Sequence, residues 1–105
     1  MVHGDERLDV VTRLCGSHWV AAALAALAVA DAAGVPLRQA ARAIAAIEPE
    51  HHRMYPVTTH DGITFILDDW KSAVWALPPV FAFMQAAAAP RKFIVIGTLS
   101  DYGGS

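Results

Sequence analysis

Residues 63–71 read "ITFILDDWK". Ile63–Leu67 is a run of apolar, β-branched and aromatic side chains, the composition that fits a pleated strand. Two carboxylates, an indole and an ammonium group then end it. A strand with so few polar side chains is expected where both faces of a sheet are covered. Upstream, "MYPVTTH" (54–60) supplies a second β-branched run, and Asp61-Gly62 between the two is a tight-turn dipeptide, so residues 54–69 read as a β-hairpin. Downstream, Pro78-Pro79 can open a helix through about Ala88, and "PRKFIVIG" (90–97) reads as a short apolar strand ending in glycine. Strand, helix and buried strand in that order make a βαβ unit, normally right-handed with parallel strands.

The first half of the chain has a different period. "LDVVTRL" (8–14) alternates imperfectly and reads as a short strand. "CGS" breaks it, with Ser17 placed to cap a helix. Residues 18–33, "HWVAAALAALAVADAA", have the strongest helix propensity in the chain, with Leu24, Leu27 and Ala28 on a shared face. Gly34 falls just past the end. Pro36 suits the first position of a second helix, where its missing N–H costs nothing. Leu37, Ala40, Ala41, Ile44 and Ile47 then recur at helical spacing, Arg38, Gln39 and Arg42 face outward, and Pro49 ends the run. "EPEHHR" (48–53) is a polar linker. The expected architecture is therefore α/β: a helical hairpin followed by a β-hairpin and a βαβ unit, an incomplete Rossmann-like three-layer sheet.

Bulk composition narrows the function classes. The 105 residues suffice for one small domain, yet 55% are hydrophobic and mean hydropathy is +0.38. Charged residues are 17%, below the roughly 25% usual in globular domains. Either much apolar surface is buried against another chain, making a homo-oligomer, or this is part of something larger. A net charge of −2 and no basic stripe argue against nucleic acid. A lone Cys15 excludes an intrachain disulfide and fits a reducing, cytoplasmic setting. The start "MVHGDERLDV" is polar and acidic, unlike a signal peptide. The apolar run Trp19–Ala30 is shorter than the roughly 20 residues a bilayer needs, so no membrane association is expected.

Ligands of open α/β sheets sit beyond the carboxyl ends of the strands. Asp68, Asp69 and Lys71 follow one such end; Gly97, Thr98 and Asp101 follow the other. A carboxylate there can accept hydrogen bonds from sugar hydroxyls, and a lysine can meet phosphate charge. A solvated strand end, with Asp69 capping the segment after it, explains the same residues. His51, His52 and His60 lack the spacing of a zinc site, since adjacent residues of an extended chain point opposite ways. Cys15 precedes a helix but has no evident partner base, so a structural thiol is the simpler reading. Trp19, Trp70 and Trp75 read as core or interface residues.

The order of these segments resembles the Mur ligases, and most closely the type that adds the terminal dipeptide to the peptidoglycan precursor. "CGSHWVAAALAALAVADAAGVPL" (15–37) looks like the end of their central domain, where glycine and histidine lead into an alanine-rich helix. "HHRMYPV" (51–57) looks like the start of their C-terminal domain. "GITFILDDWKSA" (62–73) resembles the strand–Asp–x–Lys/Tyr segment, and "RKFIVIGTLSDYGG" (91–104) the next strand with its Gly–x–x–x–acidic–x–Gly ending. The resemblance implies residues 1–50 as the end of the central domain and 51–105 as the start of a Rossmann-like C-terminal one.

Mur ligases are ATP-dependent amide-forming enzymes that use Mg²⁺ and bind ATP between those domains. By resemblance, His18 lies near adenine, Arg53 and Lys71 approach the phosphates or the reacting carboxylate, and Asp69 approaches the ribose hydroxyls. This shifts the reading of "DDWK" from strand end to half a nucleotide site. Four departures stand out. The family's asparagines fall at Trp19, Ala22 and Val74, replacing amides with apolar groups and altering the adenine pocket. No GxxxxGK[ST] occurs in the chain, so it is expected to be inactive alone and to bind ATP weakly. The alternative is a free-standing, non-catalytic module that binds itself or a partner.

Overall fold

The computed structural model describes residues 2–3 and 6–101. The chain divides into two compact units, Met1–Leu14 with His18–Glu48, and Cys15–Ser17 with Pro49–Ser105.

The first unit is built on two helices, α1 (Trp19–Ala32) and α2 (Leu37–Ala45), the expected helical hairpin. Their junction follows from Gly34. Its φ of +78° is reached without strain only by glycine, and it reverses the chain. The Gly34 N–H then bonds Asp31 O at 2.9 Å and the Val35 N–H bonds Ala30 O at 2.9 Å, which satisfies carbonyls left open at the end of α1. Pro36 stands one position earlier than expected, as the N-cap of α2, and its carbonyl accepts from Gln39 and Ala40. α1 is capped by His18 rather than Ser17, and by no side-chain hydrogen bond.

Leu27, Leu37, Ala40, Ala41 and Ile44 form the core of this unit, with Leu8, Val10, Ala23, Ala30 and Val35 packed around them. The buried face of α1 is thus Ala23–Leu27–Ala30. Leu24, expected on that face, is 44% exposed, and Ile47 lies beyond α2 at 48%. Alanines at the contact let the two helix axes approach closely, which is why a small core closes at all.

The strand expected over residues 8–14 does not pair. Leu8, Val10, Thr12 and Leu14 are half-buried while Asp9, Val11 and Arg13 are exposed, so the period-two pattern sets burial correctly. A strand also needs a neighbour for its N–H and C=O groups. Among the described residues the only ladder in this unit joins β1 (Val2–His3) to β2 (Glu6–Arg7), antiparallel. Arg13 pairs with Glu48 at the end of the helical hairpin.

The second unit opens with the β-hairpin of β3 (Tyr55–Thr58) and β4 (Thr64–Leu67), antiparallel, with Tyr55 opposite Leu67 and Thr58 opposite Thr64. Asp61-Gly62 does form the turn, but within a longer loop. The Thr59 N–H bonds Ile63 O at 2.9 Å, and the Gly62 N–H bonds Thr59 O at 3.0 Å with Gly62 at φ +84°. The Thr59 hydroxyl and the Asp61 carboxylate bond each other across it. After a 3-10 turn at Val74–Ala76 comes α3 (Leu77–Ala86), close to the helix read from Pro78-Pro79.

Two expectations for this unit are corrected. The strand read over residues 63–67 is not covered on both faces: Ile63 is 53% and Phe65 50% exposed. The segment "PRKFIVIG" forms no strand ladder, and Val95 in it is 96% exposed. The crossover closes instead at one parallel bridge between Ala73 and Ser100, where Ser100 N–H bonds Ser72 O at 2.8 Å and Val74 N–H bonds Ser100 O at 3.2 Å. Among the described residues the class is α/β, with three helices and two-stranded antiparallel sheets, and no three-layer Rossmann-like sheet forms there. Parallel strands depend on cover from both sides, which α3 by itself does not give. No helix among the described residues is long and apolar enough to cross a membrane.

Candidate functional site

The carboxyl end of β4 is gripped by the loop that precedes β3. Three hydrogen bonds make the grip. His52 Nδ1 lies 2.7 Å from Asp69 Oδ1; Met54 N–H donates to Asp68 Oδ1 at 3.2 Å; Trp70 N–H donates to His52 O at 3.3 Å. Both aspartates of "DDWK" are therefore committed to the 52–54 loop, and Arg53 is carried between two anchored residues. Its own N–H closes a turn onto Glu50 O at 3.1 Å. On the other side, Lys71 Nζ lies 2.9 Å from Asp101 Oδ2.

The backbone conformation around this segment is unusual. Among the described residues, the non-glycine residues with left-handed φ are His52 (64°), Met54 (49°) and Asp101 (55°). All three contact residues 68–71 through the bonds just given. Each such conformation costs an L-residue about 1–2 kcal/mol. Such strain persists only where surrounding structure enforces it, and it gathers at functional sites. Met54 is enforced by burial, at 2% exposure. His and Asp tolerate the conformation better than most residues.

Asp69 is held below the ordinary carboxylate range, first by the hydrogen bond from His52 and then by the charge of that imidazole. It is exposed, as are its partner, Arg53 and Lys71, so all four are open to a ligand. Surface pairs of this kind are screened by water and exchange partners easily. His51 and His52 are used apart: His51 stacks on Tyr55 with ring centroids 4.3 Å apart, and His52 turns to Asp69. Burial pushes the Cys15 thiol up, the opposite of what activates a nucleophile.

Of the four residues expected at a nucleotide site, Arg53, Asp69 and Lys71 lie in the second unit, on or beside the clamped segment. His18 lies in the first, at the start of α1, its ring 5.4 Å from that of Trp19 and tilted by 39°. A shallow groove of about 290 Å³ on the first unit, lined by Leu8, Val10, Arg38, Ala41 and Arg42 among others, includes none of the four. Sequence reasoning misses the clamp itself: no pattern singles out Met54, and His52 is considered only as a metal ligand and set aside for want of spacing. The available signal is "HHRM", two polar rings and a cation ahead of an apolar residue that proves buried.

Relatives of known function share this layout of sequence. The chain is 33% identical to the UDP-N-acetylmuramoyl-tripeptide–D-alanyl-D-alanine ligase of Mycobacterium tuberculosis (strain ATCC 25618 / H37Rv), over 94% of this chain and 21% of that protein. The Mycobacterium bovis protein of the same name matches to the same extent. The UDP-N-acetylmuramoylalanine–D-glutamate ligase of Escherichia coli K12 is 40% identical over 68 residues, 64% of this chain and 16% of that protein. No family model matches the chain, and no solved structure matches it. The chain belongs to the Mur ligase family as a divergent segment. It spans about a fifth of the length of the dipeptide-adding relatives it matches.

Proposed function

We propose that this chain is a segment of an ATP-dependent ligase that joins a carboxylate to an amine, and that it contributes residues to the nucleotide site of that enzyme. The observation that carries the proposal is the convergence of three left-handed residues on "DDWK", the segment whose Asp69 and Lys71 the family resemblance assigns to nucleotide. Strain is concentrated there to fix side chains that do little for stability. The donor set fits: an exposed guanidinium and ammonium for phosphate oxygens, and an exposed carboxylate for a ribose diol. When bound, ATP would supply the activated phosphoryl group. In this proposal Arg53 and Lys71 neutralise phosphate charge and Asp69 orients the sugar. Among the described residues no three His, Cys, Asp or Glu side chains gather as a metal site.

The domain reading is part of the same proposal: residues 1–50 belong to a central domain, 51–105 to a C-terminal one, in a cytoplasmic enzyme. With no GxxxxGK[ST], the 105-residue chain is expected to bind ATP with a dissociation constant no better than roughly millimolar and to turn none over. Titration of the isotope-labelled chain with MgATP tests this by nuclear magnetic resonance. Shifts should centre on Arg53, Asp69 and Lys71 and vanish in Asp69→Ala. Micromolar binding that Asp69→Ala leaves intact would contradict both the affinity and the assignment.

Exposed apolar groups favour a second reading, a non-catalytic module that associates with its own copies. Phe93 is 80%, Trp75 75% and Val11 76% exposed. Isolated large apolar side chains are normal on a surface, but contiguous ones such as Phe93–Ile96 usually mark an interface.

A further inference from the structure

We infer that His52 is a positioning residue for Asp69: it ties Oδ1 of the carboxylate to the protein and leaves Oδ2 to accept hydrogen bonds from the vicinal hydroxyls of a sugar. The inference rests on the nucleotide reading of the site and goes beyond it, because His52 touches no nucleotide in that reading.

Geometry supports this role in three ways. The Nδ1–Oδ1 separation is 2.7 Å, at the short end for an N–H donating to a carboxylate. With Nδ1 as the donor, one tautomer is selected, and Nε2 faces away from the carboxylate. The backbone of the same residue is anchored as well, since His52 O accepts the Trp70 N–H from the residue after Asp69. The imidazole and the carboxylate thus hang from two strands of chain already tied together, which narrows the freedom of both. Finally, His52 adopts φ +64°, a conformation most side chains avoid. In the right-handed or extended region the ring would leave Asp69. Other charged groups around the pair are accounted for: Asp68 takes the Met54 N–H, Lys71 is paired with Asp101, Arg53 is next in chain, and His51 is stacked on Tyr55.

Position 52 therefore faces two demands, tolerance of left-handed backbone and a short side chain ending in a donor. Asparagine meets both. Glycine meets the first and fails the second, so His52→Gly removes the donor without adding strain, and His52→Asn is the rescue.

The test uses the full chain in three forms: unaltered, His52→Gly and His52→Asn. Asp69 is titrated through the ¹³C shift of its carboxyl carbon, and binding of ATP is compared with binding of inorganic tripolyphosphate, which has no sugar. In His52→Gly the Asp69 midpoint should rise toward the ordinary carboxylate range and ATP should bind roughly two- to five-fold more weakly, the span of one exposed pair. Tripolyphosphate should bind as before, and His52→Asn should recover most of the ATP loss. The inference is overturned if the Asp69 midpoint is the same with and without the imidazole. It is also overturned if ATP and tripolyphosphate weaken together, which would make His52 a general support of the loop. Should ATP at 10 mM or so leave the unaltered chain unperturbed at Arg53, Asp69 and Lys71, the nucleotide reading fails and the sugar-directed half of the inference fails with it. The titration decides the His52–Asp69 half in every case.

Discussion

Met54 should reverse the usual ranking of alanine over glycine. Its side chain is 2% exposed while its φ is +49°, so burial and backbone strain oppose each other at one residue. Truncating a buried methionine to alanine costs about 2–5 kcal/mol. Alanine keeps the Cβ and with it the left-handed penalty, so Met54→Ala should lose about 3 kcal/mol. Glycine loses the same packing but sheds the penalty of about 1–2 kcal/mol, part of which returns as the greater freedom of the unfolded chain. Met54→Gly should therefore be the more stable variant by about 1 kcal/mol, whereas in a helix alanine leads by about that much. Urea unfolding followed through the amide resonances of Tyr55, Val57, Thr58 and Thr64–Leu67 measures both. Alanine outranking glycine, or either variant lying within about 0.5 kcal/mol of the parent, would show that Met54 is not the anchor of the clamp.

Three further outcomes are expected. Leu27→Ala removes a side chain 1% exposed from a core otherwise rich in alanine, and should cost about 2–5 kcal/mol and melt the helical hairpin, read as lost ellipticity at 222 nm; an unchanged melt would remove Leu27 from the core. Because Asp69 titrates below its usual value, the His52–Asp69 contact should be complete above about pH 4 and lost as pH falls through the lowered midpoint; His52 ring shifts that stay constant across that range would refute the contact. At micromolar concentration the chain should sediment as a dimer, and a monomer near 11.2 kDa that binds no apolar dye would dismiss self-association.

Local rules carry the sequence reading where structure is local. Gly34 ends α1 and Asp61-Gly62 turns the β-hairpin, because each needs only its own φ. Leu37, Ala40, Ala41 and Ile44 are placed inside by spacing alone, and they are inside. Strands fail where they need partners. Residues 8–14 keep their alternation and lose their ladder, and "FIVI", read as a buried strand, has neither cover nor ladder, because pairing is decided by what lies alongside. The site shows the same division. Asp69 and Lys71 are visible as polar groups ending a strand. The clamp is not, since it is made of residues 14 to 18 positions apart in the chain and of backbone angles that no composition reveals.

The two helices of the first unit divide their labour. α2 has a single apolar stripe with arginines opposite, and so admits one seating. α1 is apolar nearly all round: Val20 is 56% and Val29 70% exposed although its core contact is made by Leu27. A cylinder greasy on every side gives no instruction about its own rotation. The orientation of the pair is written almost wholly in α2. Replacing an outward arginine of α2 with leucine would therefore erase the one directional cue, leaving a pair of helices free to roll past each other with its composition scarcely altered.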